Sequence, residues 1–282
     1  NIVQCYFSTW SILENGIRFP RQMDFYVNSQ PWSSIAYDKV KTNTQLFPDS
    51  LTLPHSIVDQ FNHSPHNPNR LGRNDNSFKE LRTGIIQIEN NWNVGLVLQE
   101  DGVIVIEAPI SSGYSALVIR EIKKRFPGKI IKAIISTSDA WPHLGGVREY
   151  VAQEIPIYIL DNNKPIVERL LDAPFISFPD SLQRAPKKAK LNIVSNKIII
   201  GKGSNRLELY PFRTESGERM IMIYFPEHKL LYTSDLGQGL PDPPPFMIPY
   251  FGEVIEAVRR EKLVVNEIFA MHMGIFQWDT IQ

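Results

Sequence analysis

The chain has 282 residues, of which 43% are hydrophobic and 21% are charged, so it is long and apolar enough to bury a large core. Its 30 basic and 30 acidic side chains cancel, so there is no long-range electrostatic argument for binding to nucleic acid or to an anionic membrane. No apolar stretch reaches the ~20 residues that a membrane-spanning helix needs, so we expect a soluble protein that binds neither nucleic acid nor membrane.

The cysteine content and the first residue bear on the compartment. Cys5 is the single cysteine, which excludes an internal disulfide and a cysteine-rich metal site. The sequence begins at Asn1 and not at Met, so we expect that an upstream segment has been removed. If that segment were a signal peptide, the protein would be exported.

Residues 1–80 are rich in Asn, Ser, Pro and aromatic residues and show no sustained periodicity. We therefore predict an irregular N-terminal extension that packs on the main domain, which covers residues 81–282. His55, His63 and His66 lie in this extension and form one candidate for a surface metal site. The surrounding segment is proline-rich and offers no scaffold that would hold three imidazoles together.

A regular pattern begins at Leu81 with three short strands, "TGIIQIE", "NVGLVLQ" and "VIVIEAP", which are separated by turns. The next segment, "SALVIREIKKRF", has apolar residues at helical spacing, and it is followed by the buried strand "KIIKAIIST". Helices are predicted again at "GGVREYVAQ" and "KPIVERLL", with the strand "IPIYIL" between them. A run of strands follows from Leu191 to Ser234, and "GEVIEAVRREKL" and "VNEIFAM" end the domain as a helix and a strand. This order predicts a layered α/β protein and not a doubly wound sheet.

Four landmarks in this order resemble the metallo-β-lactamase superfamily over residues 83–282. "VIVIEAPISSGYSALVIREI" looks like the family's early strand with its terminal acid and the helix after it. "AIISTSDAWPHLGG" is similar to the strand and loop that carry the motif H-x-H-x-D-H-x-G-G. "MIMIYFPEHKLLYTSDL" resembles the later hairpin that ends in a metal-bridging aspartate, and "VNEIFAMH" resembles the last strand with its final histidine. The resemblance implies a four-layer αββα sandwich with a metal site at one edge.

The resemblance implies that the family's first metal position, which is built from three histidines, has lost its ligands in this sequence. His143 matches the last histidine of the motif, but Ser138 and Ala140 occupy the positions of the first two histidines. Ser216 stands where the family has its next histidine. Pro142 stands at the aspartate of the motif, which the resemblance assigns to the second metal position.

The second metal position is better kept, because Asp235 matches the bridging aspartate and His272 the final histidine. The resemblance therefore implies one zinc ion held by His143, Asp235 and His272. Two imidazoles and one carboxylate suffice for a catalytic zinc site, in which water takes the fourth place. Taken singly, each histidine also fits a hydrogen-bonded structural residue, and Asp235 fits a turn acid.

The aspartate lost at Pro142 has three candidate replacements. Asp139 lies in the same loop, and Glu215 and Glu218 lie near the start of the later hairpin. We assign Asp235 and Asp139 as candidate catalytic residues.

Two functions are compatible with this pattern. The first is a hydrolase with a single-metal site that activates water and polarises a carbonyl or phosphoryl oxygen of a small-molecule substrate. The second is a catalytically inactive relative that binds a ligand or partner in the former active-site cleft, since the fold alone does not choose. A serine hydrolase is disfavoured, because the chain has no G-x-S-x-G nucleophile elbow.

Residues 237–253, "GQGLPDPPPFMIPYFGE", follow Asp235 and are rich in proline and aromatic residues. They predict a stiff apolar rim made by Phe246, Tyr250 and Phe251, which favours a ligand with an apolar part. The same segment also fits a structural cover for a sheet edge.

Overall fold

The computed structural model describes residues 2–45, 47, 52–63, 70–72, 77–239 and 248–281. The chain divides into two compact units, Asn1–Val58 and Asp59–Gln282. None of the described helices is long and apolar enough to cross a membrane.

The N-terminal unit contains a three-stranded antiparallel sheet of β1 (Val3–Ile12), β2 (Arg18–Val27) and β3 (Gln30–Ala36). The prediction of irregular structure is therefore wrong for these strands. Every residue of β3 is exposed, and β1 alternates between exposed and half-buried positions without a regular period. A sheet without one fully buried face does not need the strict alternation that identifies a strand in a sequence.

The helix α1 (His55–His63) follows this sheet. His55 is exposed at its first residue, whereas the side chain of His63 and the whole of His66 lie outside the described residues. The surface histidine site therefore stays a prediction.

The second unit contains two large sheets and several helices. The first sheet has seven strands in the order β10-β9-β8-β7-β6-β5-β4. Its strands in chain order are β4 (Phe78–Arg82), β5 (Ile85–Ile88), β6 (Val94–Gln99), β7 (Gly102–Ile106), β8 (Ile131–Ile135), β9 (Ile157–Leu160) and β10 (Leu191–Val194). The second sheet has six strands in the order β11-β12-β13-β14-β15-β16. They are β11 (Ile198–Ile200), β12 (Leu207–Pro211), β13 (Ile221–Phe225), β14 (Leu230–Tyr232), β15 (Glu267–Ala270) and β16 (Met273–Gln277).

The helices of this unit are α2 (Ser112–Arg125), α3 (Trp141–Leu144), α4 (Val147–Ala152), α5 (Lys164–Asp172), α6 (Ser181–Arg184) and α7 (Ile248–Glu261). Local sequence explains the longest of the early helices. The side chain of Ser111 caps α2 by accepting a hydrogen bond from the Tyr114 amide, and three basic residues occupy its last turn.

Three hydrophobic clusters fill the spaces between the layers of this unit. The central cluster joins the two sheets and includes Ile104 and Ile135 from the first sheet and Ile223 and Phe269 from the second. A second cluster packs α2 and α4 on the outer face of the first sheet. A third packs α7 on the outer face of the second sheet. The predicted four-layer αββα sandwich is confirmed.

Candidate functional site

The candidate site lies where four strands of the sandwich end. Glu107 follows β7 and Thr137 comes two residues after β8, and these neighbouring strands are parallel. In the second sheet Asp235 comes three residues after β14 and His272 two residues after β15, and these two strands are also parallel. The carboxyl ends of parallel strands meet at one edge, so four polar side chains from distant parts of the chain converge there.

His143 is the centre of the site. It lies in the short helix α3, which directly follows the loop after β8, and its side chain is completely buried. The Nδ1 atom is 3.0 Å from Oε2 of Glu107, and the Nε2 atom is 2.8 Å from Oδ1 of Asp235. The imidazole therefore lies between two carboxylates.

Asp235 also contacts the second imidazole, because its Oδ1 atom is 3.0 Å from Nε2 of His272. The side chains of Asp235 and His272 are 21% and 26% exposed, respectively. The site is thus closed around His143 and open to solvent on the side of His272. The side-chain amide of Gln238 donates to the Asp235 carbonyl at 2.8 Å and helps to fix the backbone there.

Glu107 is buried and accepts hydrogen bonds from several groups. The Tyr232 hydroxyl donates to Oε1 at 2.9 Å, the Thr137 amide donates to Oε2 at 3.3 Å, and the Thr137 hydroxyl donates to Oε1. The Ser234 hydroxyl is 2.6 Å from the Thr137 hydroxyl and extends the chain of donors. This network holds the Glu107 carboxylate in place, and the carboxylate in turn orients His143.

The charges of these groups depend on one another. Burial opposes protonation of His143, but the carboxylates of Glu107 and Asp235 outweigh it and raise the pKa of the imidazole to about 10. Burial likewise acts to raise the pKa of Asp235, but the adjacent imidazoles of His143 and His272 hold it well below its usual value. Without a bound cation, the site is therefore an imidazolium held between two carboxylates.

The backbone is strained at two points of the site. Glu107 has a φ of 76° and Ser234 a φ of 53°, and both are residues with a side chain in the left-handed region. Such conformations persist only where the surrounding structure enforces them, and they concentrate at functional sites.

A zinc ion is the group that the sequence predicts here, so its fit can be tested on the donor atoms. Among the described residues, no three His, Cys, Asp or Glu side chains are already arranged as ligands around one point. The donor chemistry nevertheless fits, since two imidazoles and a carboxylate are suitable zinc ligands. The buried Nε2 atom of His143 also makes no aligned hydrogen bond within the described structure, although Asp235 is close. A small adjustment of these side chains would be needed to surround a metal ion.

The comparisons with known proteins concern the fold. Scans of protein-family models and of curated proteins gave no match. Among solved structures, the DIM-1 metallo-β-lactamase superposes with a TM-score of 0.55 and 14% identity, over 72% of this chain and 92% of that one. The chain has the metallo-β-lactamase fold.

Two further structures share this fold with the chain. The metallo-β-lactamase from Erythrobacter litoralis superposes with a TM-score of 0.54 and 12% identity, over 72% of this chain and 92% of that one. The sec-alkylsulfatase Pisa1 from Pseudomonas sp. has a TM-score of 0.52 and 13% identity, and it is covered over 40% of its length by 76% of this chain.

Within the metallo-β-lactamase fold, the three predicted metal ligands do come together, whereas the predicted replacements do not join them. Asp139 lies 3.6 Å from Arg219, and the described structure records no contact between Asp139 and either imidazole. Glu215 and Glu218 are both exposed. The amide of Ser216, which stands at a lost histidine position, donates to the Glu253 carboxylate at 3.0 Å.

The predicted aromatic rim is described only in part. Phe246 lies outside the described residues. Phe251 is 4% exposed and belongs to the hydrophobic cluster under α7, and Tyr250 is half-buried against the same cluster. Phe251 therefore has the structural role, as a core residue of the sandwich, and does not form a rim.

Four residues of the site were not predicted from the sequence: Glu107, Thr137, Tyr232 and Ser234. Glu107 carried one signal, because a single acid directly after the apolar strand "VIVI" is unusual for a core position. The hydrogen-bond partners of Glu107 showed no such signal in the sequence, because Thr137 and Tyr232 lie 30 and 125 positions further along the chain.

Proposed function

We propose that the chain is a hydrolase of the metallo-β-lactamase fold with a reduced site that binds one zinc ion through His143, Asp235 and His272. The observation that carries this proposal is the buried Nε2 atom of His143. It faces Asp235 at 2.8 Å but forms no aligned hydrogen bond within the described residues. The contact with Asp235 is an ion pair without the alignment of a hydrogen bond, and a shared cation would bind this nitrogen together with Asp235 and His272.

Glu107 acts as a positioning residue in this proposal. When the Nδ1–H group of His143 donates a hydrogen bond to Glu107, the lone pair of Nε2 is directed toward Asp235 and His272. The hydrogen bonds from Tyr232 and Thr137 hold the Glu107 carboxylate in this orientation. Burial and the nearby Glu107 charge raise the pKa of Tyr232 well above its usual value, so its hydroxyl stays protonated and continues to donate.

A zinc ion in this place would supply Lewis-acid polarisation of a substrate oxygen and activation of a water molecule. Asp235 uses Oδ1 for both imidazoles, and no described group donates to its Oδ2 atom. That oxygen is therefore placed to accept a hydrogen bond from an attacking water. We assign this role to Asp235 and not to Asp139, because Asp139 is directed toward Arg219.

The substrate enters from the side of His272, where the site is open. The proposed substrate is a small molecule with a hydrolysable carbonyl or phosphoryl centre and an apolar part. The names of the structural relatives, metallo-β-lactamase and alkylsulfatase, support hydrolysis as the reaction class.

The proposal is tested by the metal content of protein purified without chelator and then dialysed against zinc. We expect one zinc ion per chain in the wild type and a loss of most of it in His272→Ala. His228→Ala is the matched control, because the His228 imidazole contacts Asn205 at 2.9 Å and takes no part in the site. A wild-type zinc content below about a tenth of an equivalent would reject the proposal.

One observation favours the inactive relative as a second candidate. The positions of the first metal site are occupied by Ser138, Ala140 and Ser216, and the Ser216 amide is already bonded to Glu253. If the wild type stays folded and zinc-free in the dialysis experiment, this candidate replaces the first. The salt-bridged His143 is then a structural element of the cleft.

A further inference from the structure

The N-terminal sheet of β1, β2 and β3 has no buried core. Among the described residues 2–36, Pro20 is the only buried one, and nine large hydrophobic side chains of this segment are exposed. A small sheet gains its stability from an apolar face that is removed from water. Exposed apolar side chains that are concentrated in one region mark an interaction surface, so we searched this sheet for the face that a partner would cover.

The strand pairing shows which side chains share a face. Successive residues of a strand point to opposite faces, and paired residues on neighbouring strands point to the same one. Phe7 of β1 pairs with Met23 of β2, and Met23 pairs with Ile35 of β3. Together with two further pairs, these side chains form one face, here called the apolar face: Val3 with Val27, Cys5 with Phe25, and Phe7 with Met23 and Ile35.

The opposite face of the sheet is polar and bonded within itself. Asp24, which pairs with Tyr6, accepts hydrogen bonds from Ser34 at 2.6 Å and from Gln22 at 3.0 Å. The Tyr6 ring packs edge-on against the Tyr26 ring at a centroid distance of 5.5 Å. Contact with water is favourable for these groups, so the apolar face is the one that lacks a cover.

No side chain of the apolar face is buried. Val3, Phe7 and Ile35 are exposed, and the other members are half-buried. The face includes side chains from all three strands, so one flat partner surface can cover all of them at once.

The apolar face carries no charged side chain. Its one polar member beside these pairs is Ser33, the partner of Phe25. Arg21 follows two positions before Met23 on β2, but its guanidinium donates to the carbonyl oxygens of Tyr37 and Asp38. A partner selected by charge would find nothing to pair with, so the complementary surface is itself neutral and apolar.

A second copy of the same sheet supplies such a surface. Two identical faces match each other under a two-fold axis, and neither copy brings a charge that would repel the other. Two sheets packed face to face bury their inner side chains at the spacing of about 10 Å that is typical of β-sandwiches. We propose that two copies of the chain associate through the apolar faces of their N-terminal sheets. This proposal does not depend on the zinc site.

The test is sedimentation velocity of the whole chain at concentrations of about 1 to 100 µM, where we expect a dimer to form. Phe7→Lys places a charge in the interface and should weaken the dimer at least about tenfold. Tyr6→Lys is the matched control and should keep the dimer, because Tyr6 neighbours Phe7 on the same strand but lies on the polar face. The two side chains are similarly exposed, at 54% for Tyr6 and 50% for Phe7.

The single cysteine shows whether the copies meet at this face, because Cys5 lies on it. With a thiol reagent such as DTNB in excess, its reaction should be at least about fivefold slower at the highest chain concentration than at the lowest, since only the free chain exposes the thiol. In Phe7→Lys the rate should change little with chain concentration.

Ile35→Lys tests the same face from β3 if Phe7→Lys does not fold, as judged by circular dichroism, and it should weaken the dimer to a similar extent. A chain that is monomeric at every concentration would overturn the proposal, and packing of the sheet on residues 81–282 of the same chain would give that result. A dimer that the folded lysine variants leave unchanged, or one in which Cys5 reacts as fast as in the monomer, would also overturn it.

Discussion

Two buried acids near the short helix α3, Glu107 and Glu149, differ in their partners. The Glu107 carboxylate contacts the His143 imidazole and accepts hydrogen bonds from an amide and two hydroxyls. Glu149 lines a cavity together with Trp141 and Leu144 and accepts one hydrogen bond, from the neutral side-chain amide of Gln153. The first acid is satisfied by the protein itself, whereas the second lacks a partner of opposite charge among the described residues.

This difference predicts that the two acids contribute differently to stability. A carboxylate that is fully bonded within the protein supports its neighbours, and its loss should affect stability. A carboxylate with one long hydrogen bond contributes less to stability. Variants of both acids can therefore test the comparison directly.

The largest effect is expected for Glu107→Ala, which leaves His143, Tyr232 and Thr137 without their common acceptor. Removal of one partner from a buried ion pair typically costs about 3 to 5 kcal/mol. Glu149→Ala removes one long hydrogen bond and should cost no more than about 1 kcal/mol. Urea unfolding of both variants measures these costs, and equal losses would contradict the distinction.

A smaller effect is expected for Thr137→Val, which keeps the shape of the side chain but removes the hydroxyl between Glu107 and Ser234. The loss should be about 1 to 3 kcal/mol, because buried partners are left without a hydrogen bond. Thr233→Val is the matched control, since the buried Thr233 hydroxyl has no hydrogen-bond partner in the described structure. The comparison fails if the two valine variants unfold at the same urea concentration.

The smallest effect is expected at Gly113, which is compared with Gly146 near α3. A Cβ atom on Gly146 would press on the Ser115 hydroxyl and lie 2.7 Å from the Ser111 carbonyl oxygen, so Gly146→Ala should destabilise by about 1 to 3 kcal/mol. A Cβ atom on Gly113, at the cavity, meets only the Ser111 hydroxyl at 3.7 Å. Since Gly113 lies in α2, Gly113→Ala should stabilise by about 0.5 to 1 kcal/mol. Melting curves that shift in the same direction for both variants would show that the cavity side is as tightly packed as the other.

The sequence predicted the central strands well for a physical reason. Strands such as β7 and β13 are buried at every position, so their β-branched and aromatic runs are unmistakable. The sheet of β1 to β3 was missed because it has no continuous buried face.

Only those site residues that match a family motif could be predicted from the sequence. His143, Asp235 and His272 followed from landmarks of the resembled family, and the fold does bring them into contact. The role of Glu107 depends on a residue 36 positions away in the chain, and no local pattern reports such a contact. The pairing of Asp139 with Arg219 also could not be predicted from the sequence, because it joins the loop after β8 to the connection between β12 and β13.

An anomalous-scattering map recorded at the zinc edge from crystals soaked in zinc tests the single-metal site directly. We expect one peak, bounded by Nε2 of His143, Nε2 of His272 and the carboxylate of Asp235. If the map shows no peak there, and Asp235 still bridges the two imidazoles after the soak, the single-metal site is contradicted.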